Sequence, residues 1–197
     1  KIPGMEGSMP TSQQYAQNVM NQAQTPRHLQ AAASQMGFSE REQKTALQEY
    51  MKNGGVNLDP SVTAWCAAFV DASLAHGGVK GTGSLRARDF LGWGQQVEQP
   101  QQGDVVVLSR PGGGAGAGHV GFFQGYDQQG RVRVLGGNQS NRVSVAPYSP
   151  NQVLGFRRPP IDVRMAGDDT NAGMPVPAGD PATGMSFPPP TFGQPPA

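Results

Sequence analysis

The period of the apolar positions changes near Pro100 along the 197-residue chain. Before it, apolar residues recur at helical spacing between glycine stops. After it, β-branched runs of strand length alternate with turn residues. Thr25-Pro26 predicts a helix start, because Thr caps and Pro is tolerated at the first helical position. That helix should run to about Met36 and stop at Gly37. Ser39-Glu-Arg-Glu42 reads as a capping box opening a second helix over Glu40–Lys52, ended by Gly54-Gly55. Leu47, Tyr50 and Met51 share one face of it and should dock on a core. A third helix is expected over Ala64–His76 and is closed by Gly77-Gly78. Ala67, Ala68, Val70, Leu74 and Ala75 make it apolar on most sides, so it belongs in the interior. Ser84–Trp93 predicts a fourth, shorter helix.

Strands are expected at Asp104–Leu108, His119–Tyr126, Arg131–Leu135, Arg142–Val145 and Val153–Arg157, with Asp127-Gln-Gln-Gly130 as a hairpin turn. Short strands in series read as an antiparallel meander. Helices first and a small sheet afterwards make an α+β fold.

The ends differ from this middle. Residues 1–24 are rich in Gln, Asn, Ser and Met, and Thr11–Gln24 suits only a polar helix. Beyond Pro159 the periodicity is lost, and Pro188-Pro-Pro190 and Pro195-Pro196 favour extended polyproline II. The expected organisation is a polar helical extension over 1–38, a folded domain over 39–159 and a Pro/Gly-rich tail over 160–197. The chain begins at Lys1 rather than Met, which reads as a processed product or a fragment of something longer.

Composition narrows the function classes. Fifteen Lys and Arg against fourteen Asp and Glu leave a formal charge of +1, which gives no electrostatic case for nucleic acid or an anionic membrane. The longest apolar stretch, Ala64–Val70, is too short to span a bilayer, and no secretory signal pattern is visible. A single Cys excludes an intramolecular disulfide framework, and one Cys with three scattered His shows no metal-ligand spacing. No cofactor is expected.

That single Cys is the candidate nucleophile. A free Cys is more often a buried small hydrophobe. Cys66, however, opens a helix, where unpaired N–H groups and the helix dipole favour a thiolate and supply part of an oxyanion hole. About fifty residues on, His119 opens a strand after Pro111-Gly-Gly-Gly-Ala-Gly-Ala-Gly118, a loop almost without side chains that leaves room for substrate. An imidazolium there would depress the thiol pKa further. His28 and His76 read as structural or exposed. A catalytic His needs a partner on its second nitrogen, and Asn138 or Gln139 of Leu135-Gly-Gly-Asn-Gln-Ser-Asn141 can present an amide oxygen. Trp65 and Trp93 suit groove walls or plain core packing, Gly118 suits close backbone approach, and Asp59 and Asp89 suit surface or capping roles.

Ala64-Trp-Cys-Ala-Ala-Phe-Val70, Gly81-Thr-Gly-Ser-Leu-Arg-Ala-Arg88, Gln102-Gly-Asp-Val-Val-Val107, Gly118-His-Val-Gly-Phe122, Gly136-Gly-Asn-Gln-Ser-Asn141 and Leu154-Gly-Phe-Arg-Arg158 occur in this order. Together they resemble the NlpC/P60 and CHAP superfamily of papain-like cell-wall hydrolases, in particular the NlpC/P60-like group of phage endolysins and tail or virion proteins. The resemblance covers about residues 45–159 and implies a papain-like fold, Cys66 as nucleophile and His119 as general base and acid. Asn138 is similar to the Asn of the Cys-His-Glu-Asn pattern of CHAP domains. The Glu of that pattern is replaced here by Gly136, which leaves the orienting group open between Asn138 and Gln139.

The resemblance further implies hydrolysis of a peptidoglycan amide, as a cysteine endopeptidase or an N-acetylmuramoyl-L-alanine amidase, through a Cys66 thioester. The expected setting is a phage particle, with the enzyme opening the cell wall during genome delivery and residues 1–24 and 160–197 contacting neighbouring virion proteins. A free endolysin, a structural virion component with a secondary or silent hydrolase domain, and acyl transfer onto an amine are the alternatives.

Overall fold

A computed structural model describes residues 25–114 and 116–160. The polar helix expected within residues 1–24 and the tail beyond residue 160 lie outside the described residues.

Among the described residues, three helices precede a six-stranded sheet. They are α1 (Arg27–Ala33), α2 (Lys44–Asn53) and α3 (Cys66–His76). A 3₁₀ segment, Ala87–Gly92, occupies the place of the expected fourth helix. The strands are β1 (Gln95–Val97), β2 (Val105–Ser109), β3 (Gly118–Tyr126), β4 (Val132–Gly136), β5 (Ser144–Tyr148) and β6 (Val153–Arg158). Their spatial order is β1-β6-β2-β3-β4-β5, and every pairing is antiparallel. The expected meander is thus β2 to β5, while β6 returns along the free side of β2 and receives β1 at the outer edge.

The helix starts shift from their expected places for local reasons. Pro26, not Thr25, occupies the N-cap position of α1, and the helix gives way to turns after Ala33. The Ser39 hydroxyl accepts from the Glu42 N–H, but the return arm of the capping box comes from Gln43, whose Oε1 accepts from the Ser39 N–H at 3.0 Å. Regular helix therefore begins only at Lys44. The carboxylate of Glu40 is used elsewhere and accepts from the Trp65 indole N–H at 2.8 Å.

α3 is the central helix. Phe69, Val70, Ala72 and Leu74 are fully buried, and the helix packs on α1, α2, β3 and β4. Val105, Val107, Val120, Phe122 and Leu135 carry this core onto the sheet. Each fully buried side chain of this size contributes about 1.5–3 kcal/mol. Val106, Leu108, Phe123, Val132 and Val134 form a second, smaller apolar cluster joined by Tyr148, Val153 and Phe156. The alternation in β2 sends neighbouring valines into different clusters, as a strand's two-residue period requires.

Polar side chains pin the elements together. His28 of α1 pairs through Nε2 with the Gly103 carbonyl at 2.9 Å and lies 5.3 Å from the Phe122 ring. His76 stacks on Tyr50 at 4.5 Å and pairs through Nε2 with the Tyr50 carbonyl. Both histidines are thus structural. Asp71, buried on α3, accepts from the Thr82 N–H at 2.7 Å, and a Cβ at Gly81 would meet its Oδ1. The Gly81-Thr-Gly83 motif is therefore a loop fastened to α3. Asp104 receives both Nε and Nη2 of Arg158, at 3.1 and 2.9 Å, tying the end of β6 to the start of β2. Asp59 accepts from Lys44 at 2.7 Å and from Ser61, an ordinary turn-and-anchor role. No helix among the described residues is long and apolar enough to cross a membrane.

Candidate active site

Cys66 is the first residue of α3 and only 6% exposed. Trp65 occupies the N-cap position and offers no side-chain cap, so the first-turn N–H groups stay available. The N–H groups of Ala67 and of Cys66 itself act on the sulfur, joined by the Val120 N–H from β3. β4 pairs with β3 only from Phe122 onward, which leaves the β3 edge open at Val120, where the thiol sits. His119 is the residue before Val120, so one stretch of strand carries both the imidazole and the N–H that reaches the thiol.

Trp65 lies behind the site. It is fully buried, meets Phe69 edge-on at 6.1 Å, and a Cβ at Gly137 would fall 2.5 Å from its ring. The indole thus joins the nucleophile's helix to the 136–141 loop as core rather than as groove wall. Trp93 packs edge-on against Phe90 and donates to the Lys80 carbonyl. It lines a groove of about 600 Å³ with Gly94, Gln95 and Arg158, whereas Cys66 and His119 do not line that groove. A second groove, of about 330 Å³ between α1 and Gln102 and Gln124, is equally separate from the thiol. Neither groove includes the Cys66 thiol, which is met instead by the N–H groups of Ala67, Val120 and Cys66 itself. Gly118 starts β3 in a tight place, with Arg88 Cγ and the Leu108 carbonyl each 3.1 Å from a would-be Cβ. Arg88 in turn donates Nε to the Ala117 carbonyl at 3.0 Å, bracing the end of the glycine-rich loop.

The imidazole of His119 is 7% exposed, and its Nε2 lies 3.1 Å from Gln139 Oε1. The structure brings Gln139 to the imidazole; Asn138 adopts φ 58° in the turn and makes no hydrogen bond with it. Gly136 explains how. A Cβ there would lie 3.2 Å from His119 Nε2 and 3.4 Å from Gln139 Oε1. With no side chain at 136, the Gln139 amide folds back over the turn into that place. Positive φ at Asn138, Ser140 and Asn141 makes the reversal tight.

The amide can be oriented from its surroundings. Gln139 Nε2 donates toward the Ser144 carbonyl at 2.6 Å, the Ser144 hydroxyl at 3.1 Å and the Val134 and Gly136 carbonyls at 3.3 Å. Oε1 therefore faces the imidazole, and it also accepts from the Tyr148 hydroxyl at 2.8 Å. A carbonyl oxygen only accepts, so His119 must carry its proton on Nε2, which leaves the Nδ1 lone pair as the basic site.

Burial dominates the electrostatics. It pushes the Cys66 thiol up, against the opposing pull of the surrounding N–H groups and the Arg110 charge. Burial also pushes His119 down to about 4, opposed by the Gln139 bond and reinforced by Arg110. The resting pair is thus neutral thiol and neutral imidazole at pH 7. The expectation of a thiol depressed by the helix start and an imidazolium is reversed, because desolvation outweighs the helix-start donors and keeps the imidazole uncharged.

Two residues of this site carry no signal in the sequence. Tyr148 on β5 stacks on His119, with centroids 5.5 Å apart and planes 30° apart. Arg110 follows β2, two residues beyond the cross-strand partner of His119, and its charge acts on Cys66, His119 and Tyr148. Only the vacancy at Gly136 hinted that the imidazole's partners would come from elsewhere. Among the described residues no group of three or more His, Cys, Asp and Glu side chains is placed to hold a metal ion.

Residues 58–138 match the sequence model of the CHAP domain. The matched segment contains Cys66 and His119 and ends one residue before Gln139. Comparison with curated proteins and with solved structures gave no match.

Proposed function

We propose that this CHAP-like domain hydrolyses an amide bond of peptidoglycan through a thioester on Cys66. The observation that supports this most directly is the convergence of a helix-start thiol and an imidazole whose Nε2 is tied to a fixed amide oxygen. In this reading His119 Nδ1 takes the thiol proton as the sulfur attacks the carbonyl carbon. The Cys66 N–H helps hold the oxyanion, and the imidazolium returns the proton to the leaving amine. Water, deprotonated by the same imidazole, then cleaves the thioester and frees the acid. Because the resting pair is neutral, proton transfer accompanies attack rather than preceding it.

Gln139 serves as the orienting group in this scheme. A neutral amide is sufficient, since the imidazolium exists only transiently. The bond cleaved belongs to the stem peptide or joins it to the glycan. Purified peptidoglycan digested with the wild-type chain and with Cys66→Ala, with fragments identified by mass spectrometry, tests the assignment. New peptide termini from the wild type alone are expected, and equal release by Cys66→Ala overturns it. The proposal extends to a phage-borne enzyme, which is supported only by the composition of residues 1–24 and 160–197.

A further inference from the structure

We infer that Tyr148 is a positioning residue, which fixes the imidazole of His119 in the Nε2–H form by holding both its ring and its amide partner. The inference rests on the reading of Cys66 and His119 as the reacting pair.

Tyr148 touches the site twice. Its ring lies nearly parallel to the imidazole at 5.5 Å, which hinders rotation about the terminal torsion of His119. Its hydroxyl donates to Gln139 Oε1 at 2.8 Å, on the same oxygen that pairs with His119 Nε2 at 3.1 Å. One carbonyl oxygen with two lone pairs is thereby filled by two donors, so its acceptor role is fully used. Tyr148 ends β5, an edge strand that the register Leu135↔Val145 and Gly136↔Ser144 docks on β4. The same strand supplies the Ser144 carbonyl and hydroxyl that hold the amide nitrogen. β5 therefore clamps Gln139 from both ends. A ring flip of the imidazole would place a carbon, or the basic nitrogen, against Oε1 and leave a buried acceptor without its donor.

Neither contact is needed to fill the main core, because Tyr148 is only partly buried and packs on the smaller cluster. Its geometry toward His119 thus has a role separable from stability.

The test uses the full chain labelled with ¹⁵N-histidine, with Tyr148→Leu removing both contacts and Tyr148→Phe only the hydroxyl. Above the imidazole's titration the wild type should show a single His119 tautomer with a pyridine-type Nδ1. Tyr148→Leu should show mixed tautomers, and its kcat on peptidoglycan should fall roughly tenfold or more at unchanged KM, in keeping with impaired general base catalysis. Should Tyr148→Leu fail to fold, Tyr148→Phe decides. It keeps the ring and should still lose kcat, by about threefold, and show a displaced Nε2 resonance. A folded variant with the wild-type tautomer and wild-type kcat overturns the role. If the wild type shows the expected tautomer but no turnover on any peptidoglycan, the proposed substrate fails and the tautomer arm still judges Tyr148.

Discussion

Two loops flank His119, and they are built on opposite principles. The 136–141 loop is dense with bonds: Gln139 alone engages Val134, Gly136, Ser144, Tyr148 and the imidazole. The loop joining β2 to β3 has glycine at four of its first six positions after Arg110, namely 112, 113, 114 and 116. Its described bonds are two tight turns, Gly113 N–H to Arg110 O and Ala117 N–H to Gly114 O, and the brace from Arg88. One loop therefore fixes the base before substrate arrives. The other leaves open space, since a Cβ at Gly112, Gly114 or Gly116 would meet nothing within 4 Å. Under the proposed function, preorganisation is concentrated on the imidazole side.

Several changes would break or sharpen that contrast. The largest effect after loss of the thiol itself should come from Gln139. Gln139→Ala frees the imidazole and strands the Ser144 acceptors, so kcat should drop roughly a hundredfold. Asn138→Gly suits the left-handed φ of 58° and should leave activity near wild type. Steady-state rates of the two variants check this order, and a larger loss at Asn138 would move the orienting role to it.

The next effect is on stability against pH. His28 and His119 are both held below the ordinary imidazole pKa, by burial in each case. Their folded forms resist protonation while the unfolded chain accepts protons near pH 6.5. Their contribution to stability is complete above that value and declines as pH falls, for His119 down to about 4. His119 alone corresponds to roughly 3 kcal/mol at most. Asp71, held above the carboxylate range by burial, gains as pH falls and offsets part of this. Urea melts at pH 7, 5 and 4 should show the decline, and His119→Gln should flatten it.

The smallest effects compare glycines in the two loops. A Cβ at Gly137 would lie 2.5 Å from the Trp65 ring, so Gly137→Ala should cost about 1–3 kcal/mol. A Cβ at Gly116 meets nothing within 4 Å, and Gly116→Ala should leave the melting temperature nearly unchanged. Calorimetry of the two variants measures the contrast directly.

The interior of this fold was legible in the sequence because burial writes a strong period. α3 announced itself by apolarity on most sides between Cys66 and its glycine stop, and β2 by Val105-Val-Val107. The two edge strands were the least readable. β1, Gln95-Gln-Val97, has one apolar residue and was not expected. β5 was expected at Arg142–Val145 but runs over Ser144–Tyr148. Pro147 falls within it and is tolerated because an edge strand can leave one side of its backbone unpaired. Edge strands bury little, and their sequences carry correspondingly little pattern.

Site residues followed the same division. Cys66 and His119 stand out by position, one at a helix start and one after a glycine-rich loop. The choice between Gln139 and Asn138 depends on how a turn with left-handed residues at 138, 140 and 141 aims two adjacent amides, which composition does not encode. Tyr148 lies on the edge strand that the sequence misplaced, so its partnership with His119 was hidden with it.

Burial of Cys66 has one more consequence, for chemical durability. Peroxide and thiol–disulfide exchange both act on the thiolate. A lone sulfur kept protonated and nearly covered offers little of that form between turnovers. The desolvation that keeps the thiol protonated therefore shields it from oxidants.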